Sequence, residues 1–377
     1  MMSQARSSRA VRAFLPVLKT GLVFVIPLLF SHLLAQAQSP APSRSAEEKT
    51  AGRPAWQRAV EGDANLVRSS KEEAFAGGLY QMGLKYLKGE GVPQDDKKAA
   101  DMFRQAGERG DSRAQYHLAT LYFHGNGVSR DPVEALKWYR QAAEKGHPLA
   151  QFDLGQLYRR GQEVSKDYSE SVKWYRESAK QGYPPAQFNL GAMYENGIGV
   201  ARHYKIAFEW FGKAAEQGYP PAQYALGQFY RQGQGVSQDN AAALKWYRLS
   251  ADRGYPEAQY MLGQLYRQGR LVPQDYREAM KWYRPAADKG HADAQLNLGV
   301  MYFEGTGVPK DPRESVKWYG KAAEQGEVMA QYNLGQMYLL GQGIPPDKHR
   351  AVEWFRKAAK QGFEPAKKKL HALGLDG

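Results

Sequence analysis

Few residues of this 377-residue chain could do chemistry: eight histidines, one Lys-Thr-Gly tripeptide, some Gly-x-Gly turns and two ladders of aromatic side chains. Histidines that share a metal usually sit three or four apart on one helix face. The nearest pair here, His117 and His124, is seven apart, and no His-Glu-x-x-His occurs. Lys19-Thr20-Gly21 imitates one box of a β-lactam-opening enzyme, but no Ser-x-x-Lys accompanies it. No Gly-x-Ser-x-Gly elbow is present either. The chain has no Cys, which removes thiol nucleophiles, disulfides and thiolate metal sites. Turns such as Gly197-Ile198-Gly199-Val200 lack the flanking strand of a phosphate loop and recur too often to be one. The expectation is a protein with no catalytic, metal or cofactor site, and not an enzyme.

The aromatic residues lead back to the elements that carry them. Tyr86, Tyr122, Tyr158, Tyr194, Tyr230, Tyr266, Tyr302 and Tyr338 are spaced at 36 residues, and Trp138, Trp174, Trp210, Trp246, Trp282, Trp318 and Trp354 keep the same spacing. Such a period marks a solenoid, in which each unit buries its apolar face only against its neighbours. Ala222 to Glu257 is a representative unit. With Ala222 as position 0, the copies start at Gly78, Ala114, Ala150, Ala186, Ala222, Ala258, Ala294 and Ala330, and a ninth half-unit starts at Ala366.

Each unit reads as two antiparallel helices. Positions 0, 4, 7 and 8 of the first are apolar at the 3.6 period. Position 5 is Gly in seven copies, which suggests a close approach of the second helix. The second helix starts at an Asp cap at position 17 in seven copies. Asp131/Glu134, Asp167/Glu170, Asp275/Glu278 and Asp311/Glu314 are capping boxes. Pro132 and Pro312 stand at the first helical position. Gly at position 32 closes the unit, and pairs such as Pro184-Pro185 open the next. The Trp ladder lies on the apolar face, so Trp138, Trp174, Trp210, Trp246, Trp282, Trp318 and Trp354 are expected as structural core anchors. Pro285 falls inside a second helix and predicts a kink.

The pattern Ala-Gln-x-x-Leu-Gly-x-x-Tyr, Gly-x-Gly-Val, Asp, Ala, Trp-Tyr, Ala-Ala and Gly resembles the Sel-one-like repeat, a relative of the tetratricopeptide repeat, from residue 78 to about 370. The departures are Ala119, Glu163, Leu271 and His203. The resemblance implies an all-α fold, a right-handed superhelical α-solenoid whose first helices line a concave groove. Some Cys-rich secreted relatives have been associated with β-lactam binding or hydrolysis, and this Cys-free chain lacks their frame.

On a helical wheel the side of the first helix opposite the apolar arc holds positions 2, 3, 6, 9 and 10. Position 2 is aromatic in seven copies: Tyr80, Tyr116, Phe152, Phe188, Tyr224, Tyr260 and Tyr332. Positions 6 and 9 give Gln156/Arg159, Gln228/Arg231 and Gln264/Arg267, and Arg160 lies beside them. Gln, Arg and Tyr together make a candidate partner-binding strip; for the rings, packing against the neighbouring first helix is the favoured reading, and for the Arg and Gln it is not. A second candidate is the basic ridge of the second helices, Lys137/Arg140, Lys173/Arg176, Lys245/Arg248 and Lys281/Arg284.

Residues 1–37 read as a signal peptide. Arg6, Arg9, Arg12 and Lys19 precede the apolar stretch Gly21 to Leu34, and Ala35-Gln36-Ala37 fits cleavage after Ala37. That stretch is short of the roughly 20 residues a spanning helix needs. Residues 38–53 read as a disordered linker, 54–77 as an N-terminal helical cap containing Trp56, 78–365 as eight repeats and 366–377 as a C-terminal capping half-repeat. The net charge of +13 favours anionic partners only weakly. The chain is thus expected to be an exported, non-enzymatic scaffold, periplasmic or secreted, that binds a protein or peptide in its groove. It would take no nucleic acid and keep no membrane span after cleavage. The alternative is an anionic cell-wall or capsular polysaccharide on the ridge, and a weak β-lactam hydrolase stands third.

Overall fold

The apolar periodicity, caps and glycines produce a regular succession of helices. A computed structural model of the chain describes Gln57 and residues 71–375. Residues 1–37 and 38–53, expected as signal peptide and linker, and Trp56 lie outside the described residues, as does most of 54–77, expected as a cap. In chain order the helices are α1 (Lys71–Lys88), α2 (Asp96–Glu108), α3 (Ser112–His124), α4 (Pro132–Glu144), α5 (Pro148–Arg160) and α6 (Tyr168–Lys180). They continue with α7 (Pro184–Asn196), α8 (Tyr204–Glu216), α9 (Pro220–Gln232), α10 (Asn240–Asp252), α11 (Pro256–Gln268) and α12 (Tyr276–Asp288). The last are α13 (Ala292–Glu304), α14 (Pro312–Glu324), α15 (Val328–Leu340), α16 (Lys348–Lys360) and α17 (Glu364–Ala372). No strand occurs among the described residues. Odd-numbered helices are the first helices of successive units and even-numbered ones the second; each packs chiefly on the helices before and after it. The fold is the all-α solenoid that the repeat predicts. Helix α1 begins at Lys71, so the expected boundary at residue 78 falls inside a continuous helix.

The termini of the helices follow their chemistry. Every second helix of the eight units has a side-chain N-cap at position 17; for example Asp167 accepts from the Ser169 and Glu170 amides at 2.8 and 3.0 Å. His203, the one departure, still caps: its Nδ1 accepts from the Ile206 amide at 3.3 Å. The turn between helices is closed by the position-17 amide, as in Asp239 N–H to the Tyr230 carbonyl at 3.0 Å. The second Gly of that turn lies against the previous unit. A Cβ on Gly127 would stand 2.3 Å from the Asp96 carbonyl carbon. Glu163 and Leu271 occupy this position with φ of 60° and 63°, left-handed values that side chains resist.

The core differs from expectation in one respect. Trp138 and Trp318 are buried, at 6% and 3% exposed, but Trp174, Trp210, Trp246, Trp282 and Trp354 are only half-buried. The fully buried ring is the next residue: Phe103, Tyr175, Phe211, Tyr247, Tyr283 and Phe355. Position 25 lies one turn from the small residues at 21 and 28–29 and so points along the middle of the apolar face. Trp at 24 lies on its flank. The position-5 glycines make room for the deeper ring: a Cβ on Gly227 would sit 2.5 Å from the Tyr247 ring. Lysines cover several indoles, with Lys213 Nζ 4.0 Å from the Trp210 centroid and Lys357 Nζ 3.8 Å from that of Trp354.

Units are joined by polar clasps that also hold the Tyr ladder. The buried Gln at position 1 donates to a carbonyl of the preceding second helix, as in Gln151 Nε2 to Ala143 O at 3.0 Å and Gln295 Nε2 to Ala287 O at 2.9 Å. Arg at position 26 donates to the Tyr hydroxyl at position 8 of the following unit: Arg140 to Tyr158 at 2.9 Å, Arg248 to Tyr266 at 3.0 Å. Pro285 does not interrupt α12, which has the 13 residues of its neighbours. The carbonyl that loses its donor belongs to Lys281, on the exposed side, where water can take its place. The chain resumes its bonding with Lys289 N–H to Pro285 O at 3.3 Å.

Candidate functional site

The strip of Gln and Arg on α5, α9 and α11 is built, not merely exposed. In the third unit Gln156 Oε1 accepts from Arg159 Nη2 at 3.1 Å and Nε at 3.3 Å, and from the Tyr175 hydroxyl at 2.8 Å. In the fifth unit Gln228 Oε1 accepts from Arg231 Nη2 at 2.8 Å and from the Tyr247 hydroxyl at 3.1 Å, and Gln228 Nε2 donates to the Tyr224 hydroxyl at 2.7 Å. In the sixth unit Gln264 accepts from Arg267 Nη2 at 3.1 Å and donates to the Tyr260 hydroxyl. Each Gln thus ties a buried or half-buried Tyr to a half-buried Arg and fixes the guanidinium plane. Arg160 is exposed at the end of α5 beside this series. Arg267 Nε and the Tyr283 hydroxyl are buried without a hydrogen-bond partner among the described residues.

The rings at position 2 are part of the same construction. Six of the seven pack between the position-25 ring and the ring at position 33 of their own unit, and Tyr80 packs on Phe103 beneath the Arg113 guanidinium. Tyr224 lies 5.7 Å, centroid to centroid, from both Tyr247 and Tyr255, and Tyr260 lies 5.8 Å from Tyr283 and stacks on His291 at 4.5 Å. Phe152 does the same with Tyr175 and Tyr183. The rings therefore brace the strip from behind. The sequence reading missed position 33, although its run of His147, Tyr183, Tyr219, Tyr255 and His291, resumed by Phe363 after Glu327, was a visible signal. Burial pushes the Tyr224 hydroxyl up to about 12, so it serves as a neutral hydrogen-bonding group.

Two carboxyls interrupt the cationic series. Burial raises Glu195, the position-9 residue of α7, to about 7. Burial likewise raises Asp153 on α5 to about 7, partly offset by its hydrogen bond with Tyr116 and by the charge of Arg160. Both carboxyls are thus partly neutral near pH 7. His147, stacked on Tyr116 at 4.8 Å, is pushed down to about 3 by burial and is neutral. Among the described residues no three His, Asp or Glu side chains gather as metal ligands, and no helix is long and apolar enough to cross a membrane.

Comparison with known proteins places this geometry. The family model for the Sel1 repeat matches eight consecutive stretches, at 76–111, 112–147, 148–183, 184–219, 220–255, 256–291, 292–327 and 328–363. Its phase starts two residues before the one read from the alanines. A Sel1 repeat protein from Oxalobacter formigenes is 33% identical over 90% of this chain and 98% of its own, with a TM-score of 0.66. A protective antigen of uropathogenic Escherichia coli strains, with the same repeat fold, is 31% identical over 88% of this chain and 82% of its own, with a TM-score of 0.58. No curated protein matches. Repeat by repeat and over nearly its whole described length, the chain belongs to the Sel1 repeat family.

Proposed function

We propose that the chain is an exported, non-enzymatic adaptor that holds a protein or peptide partner along the first-helix strip. Sel1 repeats generally mediate protein–protein contacts. The observation that carries the reading is the recurrent clamp of Arg159, Arg231 and Arg267 by Gln156, Gln228 and Gln264. A guanidinium held in place loses little freedom on gripping a carboxylate with two bonds. Position 9 becomes apolar in the outer units, with Leu87, Phe123, Phe303 and Leu339. Such a strip suits an extended peptide with acidic groups near its centre and apolar residues at its flanks. The site of action is the cell envelope or the exterior, after removal of residues 1–37.

The ridge is a weaker candidate because seven of its eight cations, all but Lys245, are engaged within the chain. Lys137, Lys173 and Lys281 pair with Glu134, Glu170 and Glu278. Arg140, Arg176, Arg248 and Arg284 donate to tyrosine hydroxyls of the next unit. A polysaccharide would have to displace these bonds. The test is capture of the partner from the protein's own envelope fraction. Replacing Arg159, Arg231 and Arg267 together by Ala should cut capture tenfold or more, about 1.4 kcal/mol, with the helical signal intact. Replacing Lys173, Arg176, Lys245 and Arg248 should leave capture unchanged. Loss in the ridge variant alone would move the site to the outer face and favour the polysaccharide.

A further inference from the structure

Among the described residues the ninth unit is represented by its first helix, and its residues depart from the repeat in a consistent direction. Position 1, a buried Gln in the seven units from the second to the eighth, is Lys367. Position 2, aromatic in seven units, is Lys368. Position 5, Gly in seven, is His371, and position 8, always Tyr, is Gly374. The last change strands a cation. Arg104, Arg140, Arg176, Arg248 and Arg284 each donate to the Tyr that follows, but Arg356 meets Gly374 and makes no hydrogen bond or ion pair among the described residues. Lys360 and Lys368 are exposed and likewise unbonded among them; Lys367 pairs with Glu364 at 2.7 Å. Residues 348–375 hold eight Lys and Arg against Glu353 and Glu364, which is +6 of the chain's +13.

Between α16 and α17 these side chains rim a cavity of about 910 Å³, with Ala359, Leu370 and Leu375 at its floor. It lies where a ninth second helix would pack. A helix of this chain's own kind does not fit there. In seven units the ring at position 25 packs on Gly at position 5, and in the second unit Tyr139 packs on nothing larger than Ala119; a Cβ on Gly335 would already stand 2.7 Å from Phe355. His371 carries a whole imidazole at that place. None of the second helices α2 to α16 has a net negative charge to meet the rim, so the second helix of another copy is a poor occupant by the same measure. The floor is also recessed, with Leu370 only 3% exposed, so a flat bilayer surface cannot reach it. What fits is a segment that is acidic outside and sends one or two slender apolar side chains inward.

We propose that this end of the array is a second docking site, which takes an acidic, amphipathic peptide segment of another protein. It is independent of the first-helix strip. The probe is a fluorescein-labelled peptide, Glu-Glu-Leu-Glu-Glu-Leu-Leu-Glu-Glu, titrated against the full chain and followed by anisotropy. Two controls replace every Glu by Gln or every Leu by Gly, and phosphatidylglycerol vesicles are run beside them by co-sedimentation. The site requires binding of the parent peptide and at least tenfold weaker binding of each control. It requires a loss of at least tenfold in a variant with Arg356→Glu, Lys360→Glu and Lys368→Glu. These side chains are solvent-facing, so the helical signal should be unchanged. Arg159→Ala with Arg231→Ala and Arg267→Ala should bind the peptide as before. Absence of binding, equal binding of the Gln control, or loss only in the Arg159/Arg231/Arg267 variant would overturn the proposal. Vesicle binding that the Arg356/Lys360/Lys368 variant abolishes would overturn it too, in favour of a membrane surface.

Discussion

At the scale of single residues, adjacent aromatics do different jobs. Tyr247 is fully buried against Gly227, whereas Trp246 beside it is half-buried. Truncation of a core aromatic costs about 3–5 kcal/mol, through lost burial and the cavity left behind. Tyr247→Ala should therefore lower the urea midpoint by clearly more than Trp246→Ala, and the reverse order would return the anchor role to the indole. The sequence showed that positions 24 and 25 were both aromatic. It did not rank them, because the larger ring draws the eye and only packing shows which one faces Gly. Leu271 is strained in the left-handed region and 36% exposed. Leu271→Gly should raise stability by about 1 kcal/mol, read from the same unfolding curves. Glu195 gives a pH signature. Its folded value of about 7 exceeds the ordinary carboxylate value of 4.5, so the folded chain holds more proton than the unfolded one between them. Its contribution to stability therefore falls as pH rises from about 4.5 to 7. Asp153, also raised to about 7, acts in the same sense. Glu195→Gln should flatten this slope, and an unchanged slope would place the carboxylate in water.

At the scale of elements, the helices were legible and the joints between them were not. Caps are local: an Asp followed by its helix, or a Gly after the last turn, is visible in one line of sequence. The clasps join residues of different elements, and a buried Gln at position 1 reads from sequence as one more polar residue on a helix. In the structure Gln187 Nε2 donates to Ala179 O at 3.2 Å, and Gln187 Oε1 accepts from Gln217 Nε2 at 2.9 Å. The clasp thus ties α7 back to α6 and onward to the end of α8. Gln187→Leu keeps the volume near constant but removes one donor to the Ala179 carbonyl, which keeps the Gly182 amide at 3.0 Å, and one bond of Gln217. Each hydrogen bond lost in this way costs about 0.5–1.5 kcal/mol. In an array stabilised by nearest-neighbour contacts this loss should stay local. Amide exchange should quicken at the α6–α7 junction while α13 to α16 keep their protection. Uniform quickening would mean that the array unfolds as one unit. The strip had the same partial legibility. Its Arg and Gln were found from spacing, but the rings at position 33 that pack on Phe152, Tyr224 and Tyr260 behind them were not, since they lie outside the first helix and return to it only in space.

At the scale of the whole molecule, the repeat makes a precise excision possible. Removing residues 186–221 deletes one period and leaves Tyr183-Pro184-Pro185 followed by Ala222-Gln223. The junction reproduces Tyr219-Pro220-Pro221-Ala222-Gln223 residue for residue. Gln223, which donates to Ala215 O at 3.1 Å, would find Ala179 O at the equivalent place, and Arg176 would find Tyr230 in place of Tyr194. The shortened array should keep its helical signal per residue. It should melt at a lower temperature, because one unit and one interface are gone. The deletion also removes Glu195 and sets the Arg159 unit directly before the Arg231 unit. Three clamped guanidiniums would then stand in consecutive units with no carboxyl at position 9 among them. If the partner's acidic centre is what the strip reads, affinity should rise several-fold and become more sensitive to salt, since more of the binding is then ionic and screened. If the partner instead spans the full length with its apolar flanks, the shortened array puts those flanks out of register and affinity falls. A folded deletion variant with weakened, salt-insensitive capture would show that the ends of the strip, and not its cationic middle, select the partner.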